Sequence, residues 1–548
     1  MKAWKELMNA FVKTVSNRHV NEITTFFLIA LGYYVTLMAV TGQNFANPLE
    51  PITYSKTLNL NNAANEILQS IVSVFIIVVI SLIIGKIVKI VYIPTLIGCM
   101  VFGIAIKNIA VFNEFFYINS YWQFILRKLS LVTIIIRWGI SINVKFIKEN
   151  YVFPAILGIG SATAEALAIF VVAVLFFNFS PALAIICGFV VGTVSPAVAG
   201  PVLGYLRRKN IGMEKRIPDI VPAACCFDNC FSLLIFSLTA AVTFTNESPI
   251  PTLVKNIGAI VLAVVIGLVI GFVIRYFPRG DVRHTHLGRF MILTSMSYGV
   301  IMGMIAMGYQ FPGIVASLVI CCVSGTKWRE DNPKKIDVLV HQCDNFWYFL
   351  CVPVLFTLVG YTFDFSKISL YDVKVALILL IAGSLIRLIV SMVLSASAQF
   401  NLREQFIIGL CLVPKATVQC ALAPSLILLT DDFPELREKT QLIITICIIA
   451  VLVTSPIVDI LLYVLAPRLL RQSSSQTVHI SGVQLVQDSS GNLDTKTSNS
   501  IFTNDDAITF EKFRALYGNA SSNSPFNNSQ MNNTRPTYQY VNKSAVYS

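Results

Sequence analysis

Charge is what this 548-residue chain has least of: 13% of its residues are Asp, Glu, Lys or Arg, against 55% hydrophobic ones. Soluble domains carry about a quarter charged residues, so a soluble globular protein is excluded and a polytopic membrane protein is implied. Paired cysteine knuckles are also lacking. The 12 cysteines fall mostly inside apolar runs, and "CC" at 225–226 and 321–322 reads as small apolar filler, not as a disulfide or metal framework. The N-terminus "MKAWKELMNAFVKTVSNRH" is too polar and too long before its first apolar run to be a signal peptide. The loops hold no nucleophile–base pair and no metal-ligand spacing, so no catalytic residue, resident metal or cofactor is expected, and an enzyme is disfavoured.

What is present is apolar length. A helix needs about 20 residues to cross the hydrocarbon core. Fourteen apolar runs approach that length, near 23–42, 66–88, 92–107, 126–143, 151–177, 181–206 and 218–244, then 256–277, 287–308, 312–327, 346–363, 372–398, 403–429 and 438–466. The 41 Lys and Arg exceed the 29 Asp and Glu, and the excess lies in alternate connections. Lys86/Lys89, Lys145/Lys148, "RRKNIGMEKR" (207–216), "RYFPRGDVRHTHLGR" (275–289), "KWREDNPKK" (327–335) and Arg403 fall on one side, with the basic N-terminus and Arg468/Arg471. The positive-inside rule then assigns the basicity to cytoplasmic loops rather than to nucleic-acid binding, and predicts an even span number with both termini cytoplasmic.

Two spans should be broken. "GTVSPAVAGP" (192–201) packs two prolines and two glycines into ten residues at membrane depth, with Ser195 and Pro196 at its centre. "LVPKATVQCALAP" (412–424) is likewise bracketed by proline, and holds Pro414, Lys415 and Thr417. The interruptions are seven spans apart, an odd number, so the two segments run in opposite directions. Paired interruptions in inverted halves point to a transporter with its site near the midplane.

Few charges lie deep in the spans: Arg137, Glu165, Asp228, Arg387 and Lys415, with Asp459 nearer an interface. Such groups are costly in hydrocarbon and should be paired or line water. Glu165 with Arg387 makes a plausible bridge, because guanidinium forks onto carboxylate. Asp228 and Lys415 remain as titratable candidates beside the broken helices.

The stretches "GFVVGTVSPAVAGPVLGYL" (188–206), "IPDIVPAACCFDN" (217–229) and "NLREQFIIGLCLVPKATVQCALAP" (401–424) resemble the cation/proton antiporter superfamily. The likeness is to the animal NHA-type sodium/hydrogen exchangers, relatives of the bacterial NhaA antiporter, with "PKATVQ" as a specific signature. "GSATAEALAIF" (160–170) and "LIRLIV" (385–390) look like the acidic and basic core helices of that family. The resemblance implies an all-α fold of about 14 transmembrane helices, with NhaA-like inverted repeats and two crossed broken helices. It implies a homodimer and alternating access. It makes Glu165–Arg387 the core salt bridge, sets Lys415 beside the unwound thirteenth span, and has Thr193 to Val198 supply backbone carbonyls. Along the chain, 1–22 becomes a cytoplasmic N-terminus and 23–65 an extra helix with an external loop. Residues 66–470 form the transport domain and 471–548 a disordered cytoplasmic tail.

The sequence departs from the family where the ion should bind. Electrogenic members carry two adjacent aspartates there and electroneutral ones usually Asn then Asp, whereas this chain has Asp228 then Asn229. An Asn oxygen can ligate a cation but brings no charge and exchanges no proton. The leading expectation is a monovalent cation (Na+, Li+ or K+):proton antiporter serving pH homeostasis, with Asp228 titrating and Asn229 as neutral ligand. A proton-coupled chloride transporter, using Lys415 and Arg137 as excess cations, is the alternative. A transport-deficient regulatory relative is another. The membrane is the plasma membrane or that of an organelle.

Overall fold

The computed structural model describes residues 17–41, 60–90, 93–142, 144–280, 284–430 and 433–471, with 476–480, 483–487 and 493–495 from the tail. In chain order the main helices are α1 (Arg18–Thr41), α2 (Leu60–Ile90), α3 (Thr95–Asn108), α4 (Ser120–Ser141) and α5 (Val152–Phe177). They continue with α6 (Pro181–Gly192), α7 (Pro196–Arg208), α8 (Ile217–Thr243), α9 (Pro249–Ile274), α10 (Thr285–Ala306) and α11 (Gln310–Asp331). The last are α12 (Pro333–Phe346), α13 (Val352–Gly360), α14 (Leu370–Ser397), α15 (Leu402–Leu412), α16 (Thr417–Leu422) and α17 (Pro434–Leu469). Three short tail strands, Gln476–Ile480, Val483–Gln487 and Leu493–Thr495, pair antiparallel; the rest of the expected disordered tail lies outside the described residues.

Each of the fourteen expected runs coincides largely with helix, three of them with more than one, but a count of fourteen spans is not confirmed. Among the described residues 11 helices are long and apolar enough to cross a membrane, or up to 12 if the bent pair at Ser120–Ser141 and Val144–Asn150 is one span. The 14-residue α3 is one shortfall, since it rises only about 21 Å against a hydrocarbon core of about 30 Å. The 24-residue α1 packs on α10.

Local chemistry sets the ends that matter. The N-terminus of α14 carries a capping box, in which Ser369 and Asp372 satisfy each other's backbone N–H. α5 stops at Asn178, which takes the left-handed conformation at φ 53°. One apolar core joins α3, α6, α13, α14 and α17. A second joins α5, α7, α8, α15 and α17, and a third joins α4 with α9, α10, α11 and α12. α5 packs on α6, α8 and α14. It approaches α8 so closely that a Cβ at Gly158 would collide with the Ala224 carbonyl.

Candidate functional site

Both expected interruptions are present, and they touch. α6 ends at Gly192, and α7 begins at Pro196, whose missing N–H suits a first helical position. α15 ends at Leu412 and α16 begins at Thr417. Between these ends the two unwound strands cross, with the Ser195 N–H donating to the Pro414 carbonyl at 2.8 Å. The Ser195 and Thr417 hydroxyls meet at 3.3 Å.

Unwinding at membrane depth frees backbone groups that lipid cannot satisfy, so side chains must. Gln419 donates from Nε2 to the carbonyls of Val190, Val191 and Thr193, at 3.0, 3.1 and 2.7 Å. The Lys415 N–H donates to Thr454 Oγ1 at 2.9 Å, and the Ser455 hydroxyl donates to the Lys415 carbonyl at 2.6 Å. The Thr193 hydroxyl turns back to the Phe189 carbonyl at 2.5 Å.

Four charged side chains gather at the crossing, all fully buried: Glu165, Asp228, Arg387 and Lys415. Arg387 Nη1 donates to Glu165 Oε2 at 2.6 Å, while its Nη2 holds Asp228 Oδ2. Lys415 Nζ donates to the same Glu165 Oε2 at 2.7 Å. Arg387 and Lys415 also donate to the Gly192 carbonyl, at 2.5 and 2.7 Å. Two cations therefore sit on the negative end of the α6 dipole. Two carboxylates and two cations sum to zero, so the quartet is self-neutralised in a medium that would punish any unpaired member. The sequence separates Asp228 from the Glu165–Arg387 bridge; in the structure one guanidinium serves both acids, because its fork offers a nitrogen to each.

Asp228 and Asn229 are both buried on α8. Asp228 Oδ1 accepts two long hydrogen bonds, from the Val194 N–H at 3.4 Å and the Ser232 hydroxyl at 3.3 Å. Asn229 Oδ1 has no hydrogen-bond partner among the described residues, nor does Glu165 Oε1. A buried acceptor with no donor is costly unless water or a cation fills the place.

Arg137 does not join this network, a correction to the expected charge set. Its Nε and Nη2 hold Asp344 Oδ1 at 2.7 and 2.6 Å, and its guanidinium lies 5.4 Å from the Trp347 ring. The sequence reading missed Asp344 because it precedes the apolar run drawn from 346. It also missed Gln419, Gly192, Thr454 and Ser455. Of these only Gln419 carried a signal: a long amide inside a broken apolar helix has to find partners.

Comparison with known proteins adds the following. The transmembrane family described as sodium/hydrogen exchanger matches residues 74–464. Sodium/hydrogen exchanger 9B1 of Macaca fascicularis is 28% identical over 396 residues, covering 71% of this chain and 76% of that one. Sodium/hydrogen exchanger 9B2 of Xenopus tropicalis is 26% identical over 406 residues, covering 73% and 74%. The solved sodium proton antiporter MjNhaP1 of Methanocaldococcus jannaschii superposes with a TM-score of 0.57 at 17% identity, covering 73% of this chain and 99% of that one, a likeness of fold.

Proposed function

The chain belongs to the sodium/hydrogen exchanger family and is a multi-pass membrane protein, and from that premise we propose that it exchanges a monovalent cation for a proton at Asp228 and Asn229 by alternating access. One observation carries the site: Asn229 Oδ1 is a buried oxygen without a donor among the described residues, and the preceding residue, Asp228, faces the unwound stretch through the Val194 N–H. A dehydrated cation takes such oxygens, and Asp228 supplies the charge that offsets its lost hydration. With a single carboxylate in play, cation and proton exclude each other there, which couples their movements. Thr193 borders this site through the peptide it shares with Val194, whose N–H donates to Asp228, while the Thr193 carbonyl on the far side accepts from Gln419. Glu165, Arg387 and Lys415 hold the frame that moves with it. Na+ is the expected ion, with Li+ and K+ as competitors. Both termini are assigned to the cytoplasm, and the working unit is a homodimer.

A second reading has an observation of its own. Arg387 grips Asp228 Oδ2, and a carboxylate that never leaves its guanidinium would transport nothing. That favours a transport-deficient regulatory relative. The chloride reading loses its premise, because Lys415 is paired with Glu165 and Arg137 with Asp344.

Reconstitution in liposomes with a pH dye separates these. Proton movement driven by Na+, Li+ or K+ gradients, abolished by Asp228→Asn, is expected. Chloride-driven movement, or a folded protein silent under every gradient, would overturn the proposal.

A further inference from the structure

The polar face of α14 continues past the ion pair. Ser391 and Ser395 follow Arg387 at four-residue steps, so the three share one side of the helix. Both serines are fully buried, and neither hydroxyl has a hydrogen-bond partner among the described residues. Across from them on α5, Glu165 is preceded four residues earlier by Ser161, also fully buried, whose hydroxyl turns back to the Gly158 carbonyl at 3.3 Å. The two helices run antiparallel in matched register, for Gly383 lies against Ile169 and Glu165 while Gly160 lies against Leu394. Gly409 of α15 closes the third side beside Ser391, presenting bare backbone.

The two ends of this stripe differ. At its head, Glu165 Oε1 and Arg387 Nε are buried without hydrogen-bond partners among the described residues. At its foot, the Phe400 N–H donates to the Ser395 carbonyl at 3.3 Å, and the Phe400 ring stacks on Phe153 at 5.5 Å. Lys215 Nζ lies 5.3 Å from the Phe400 ring, and it holds Glu404 at 2.7 Å and the Gln399 carbonyl at 2.9 Å. Loop charge assigns this basic end to the cytoplasm.

Serines facing a dry core would normally turn back onto their own helix carbonyls, as many hydroxyls of this chain do. Buried hydroxyls that find no protein partner are the places proteins fill with ordered water. We propose that α5 and α14 enclose a file of water anchored on Ser391 and Ser395 and passing Ser161. It runs from the Phe153–Phe400 stack to Glu165 and Arg387, and it conducts protons to the carboxylates. Each step breaks one O–H bond as the neighbouring oxygen gains one. The net result is one proton moved from bulk water onto a carboxylate oxygen, with the file restored by reorientation. Neutral hydroxyls offer a dehydrated cation no charge, so the file is a proton route alone. The proton role rests on the exchange reading above, whereas the water file itself does not.

Hydroxyl-radical footprinting of the full-length protein in nanodiscs, read by mass spectrometry, tests the file directly. Leu157 and Phe400 border the stripe and are buried. Leu157 is expected to oxidise faster than Leu379, equally buried on α14, and equal rates for this matched pair would overturn the file. Exchange assays in H2O and D2O test the proton role. Ser391→Val is expected to slow exchange about tenfold and remove its solvent isotope effect. Cation half-saturation should be unchanged, and Ser391→Thr should restore the rate. A wild-type rate and isotope effect in Ser391→Val, with the protein folded, would overturn the conduit. A footprint in a protein silent under every ion gradient would support the file and overturn the exchange reading instead.

Discussion

The Ser195 N–H and the Pro414 carbonyl meet at 2.8 Å, main chain to main chain, where two broken helices of opposite direction cross. Each interruption satisfies part of the other, so neither can rewind into a continuous helix without stranding a polar group of its partner. The crossing is therefore a single mechanical unit, and the ionised side chains around it are held by both halves of the chain.

Gln419 is the side chain on which that unit depends most. It closes three carbonyls at the end of α6 with one nitrogen. Replacing it by Leu, close in size, leaves those acceptors buried without a donor. The expected loss is about 1–3 kcal/mol of stability, read as a lower melting temperature in detergent. Cation-driven flux in liposomes should fall further than the melting shift alone explains. Unaltered flux would show that the carbonyl geometry is immaterial.

Glu165 and Lys415 give a sharper thermodynamic test, since they pair at 2.7 Å with both side chains buried. Glu165→Met strands Lys415 and should cost about 3–5 kcal/mol. Lys415→Met should cost a similar amount by leaving excess negative charge. The double replacement removes both charges and is expected to recover most of either loss. Melting of the four proteins closes the cycle, and strictly additive losses would mean that the two groups do not interact.

Much of this was legible in the sequence, for identifiable reasons. Proline and glycine clusters mark helix interruptions wherever they occur, so 192–201 and 412–424 could be located from composition alone. The rarity of buried charge made Glu165, Asp228, Arg387 and Lys415 stand out. Partner choice was harder. Arg387 serving two acids and Arg137 finding Asp344 both depend on which helix faces lie together, and that is settled by packing. The span count is met only to 11 or 12 among the described residues, and α3 shows one reason: it is apolar but short.

Packing around Gly158 supplies a third prediction. α5 and α8 touch there backbone to backbone, about two turns from Glu165 along α5. A side chain at 158 would force the helices apart and separate Glu165 from Asp228. Gly158→Val is expected to cost about 1–3 kcal/mol by overpacking and to reduce exchange sharply. Gly258, which has open space around its Cβ position, is the control. Gly258→Ala should leave both flux and melting near wild type.

Asn229 carries the remaining question, whether a neutral oxygen suffices at the ion site. Asn229→Asp keeps the shape of the side chain and adds one negative charge to a quartet that is now balanced. At alkaline pH the added carboxylate is ionised, so the site gains attraction for a cation and the half-saturation concentration should fall. As pH drops, that carboxylate takes up a proton and becomes neutral, like the amide it replaced. The variant should then converge on wild type from the high-affinity side. Titrating cation-driven proton movement in liposomes at several pH values reads both limbs. Asp228→Asn in the same assay should be silent throughout. Flux in Asn229→Asp that matches wild type at every pH would remove position 229 from the site and leave Asp228 to bind the ion with backbone oxygens alone.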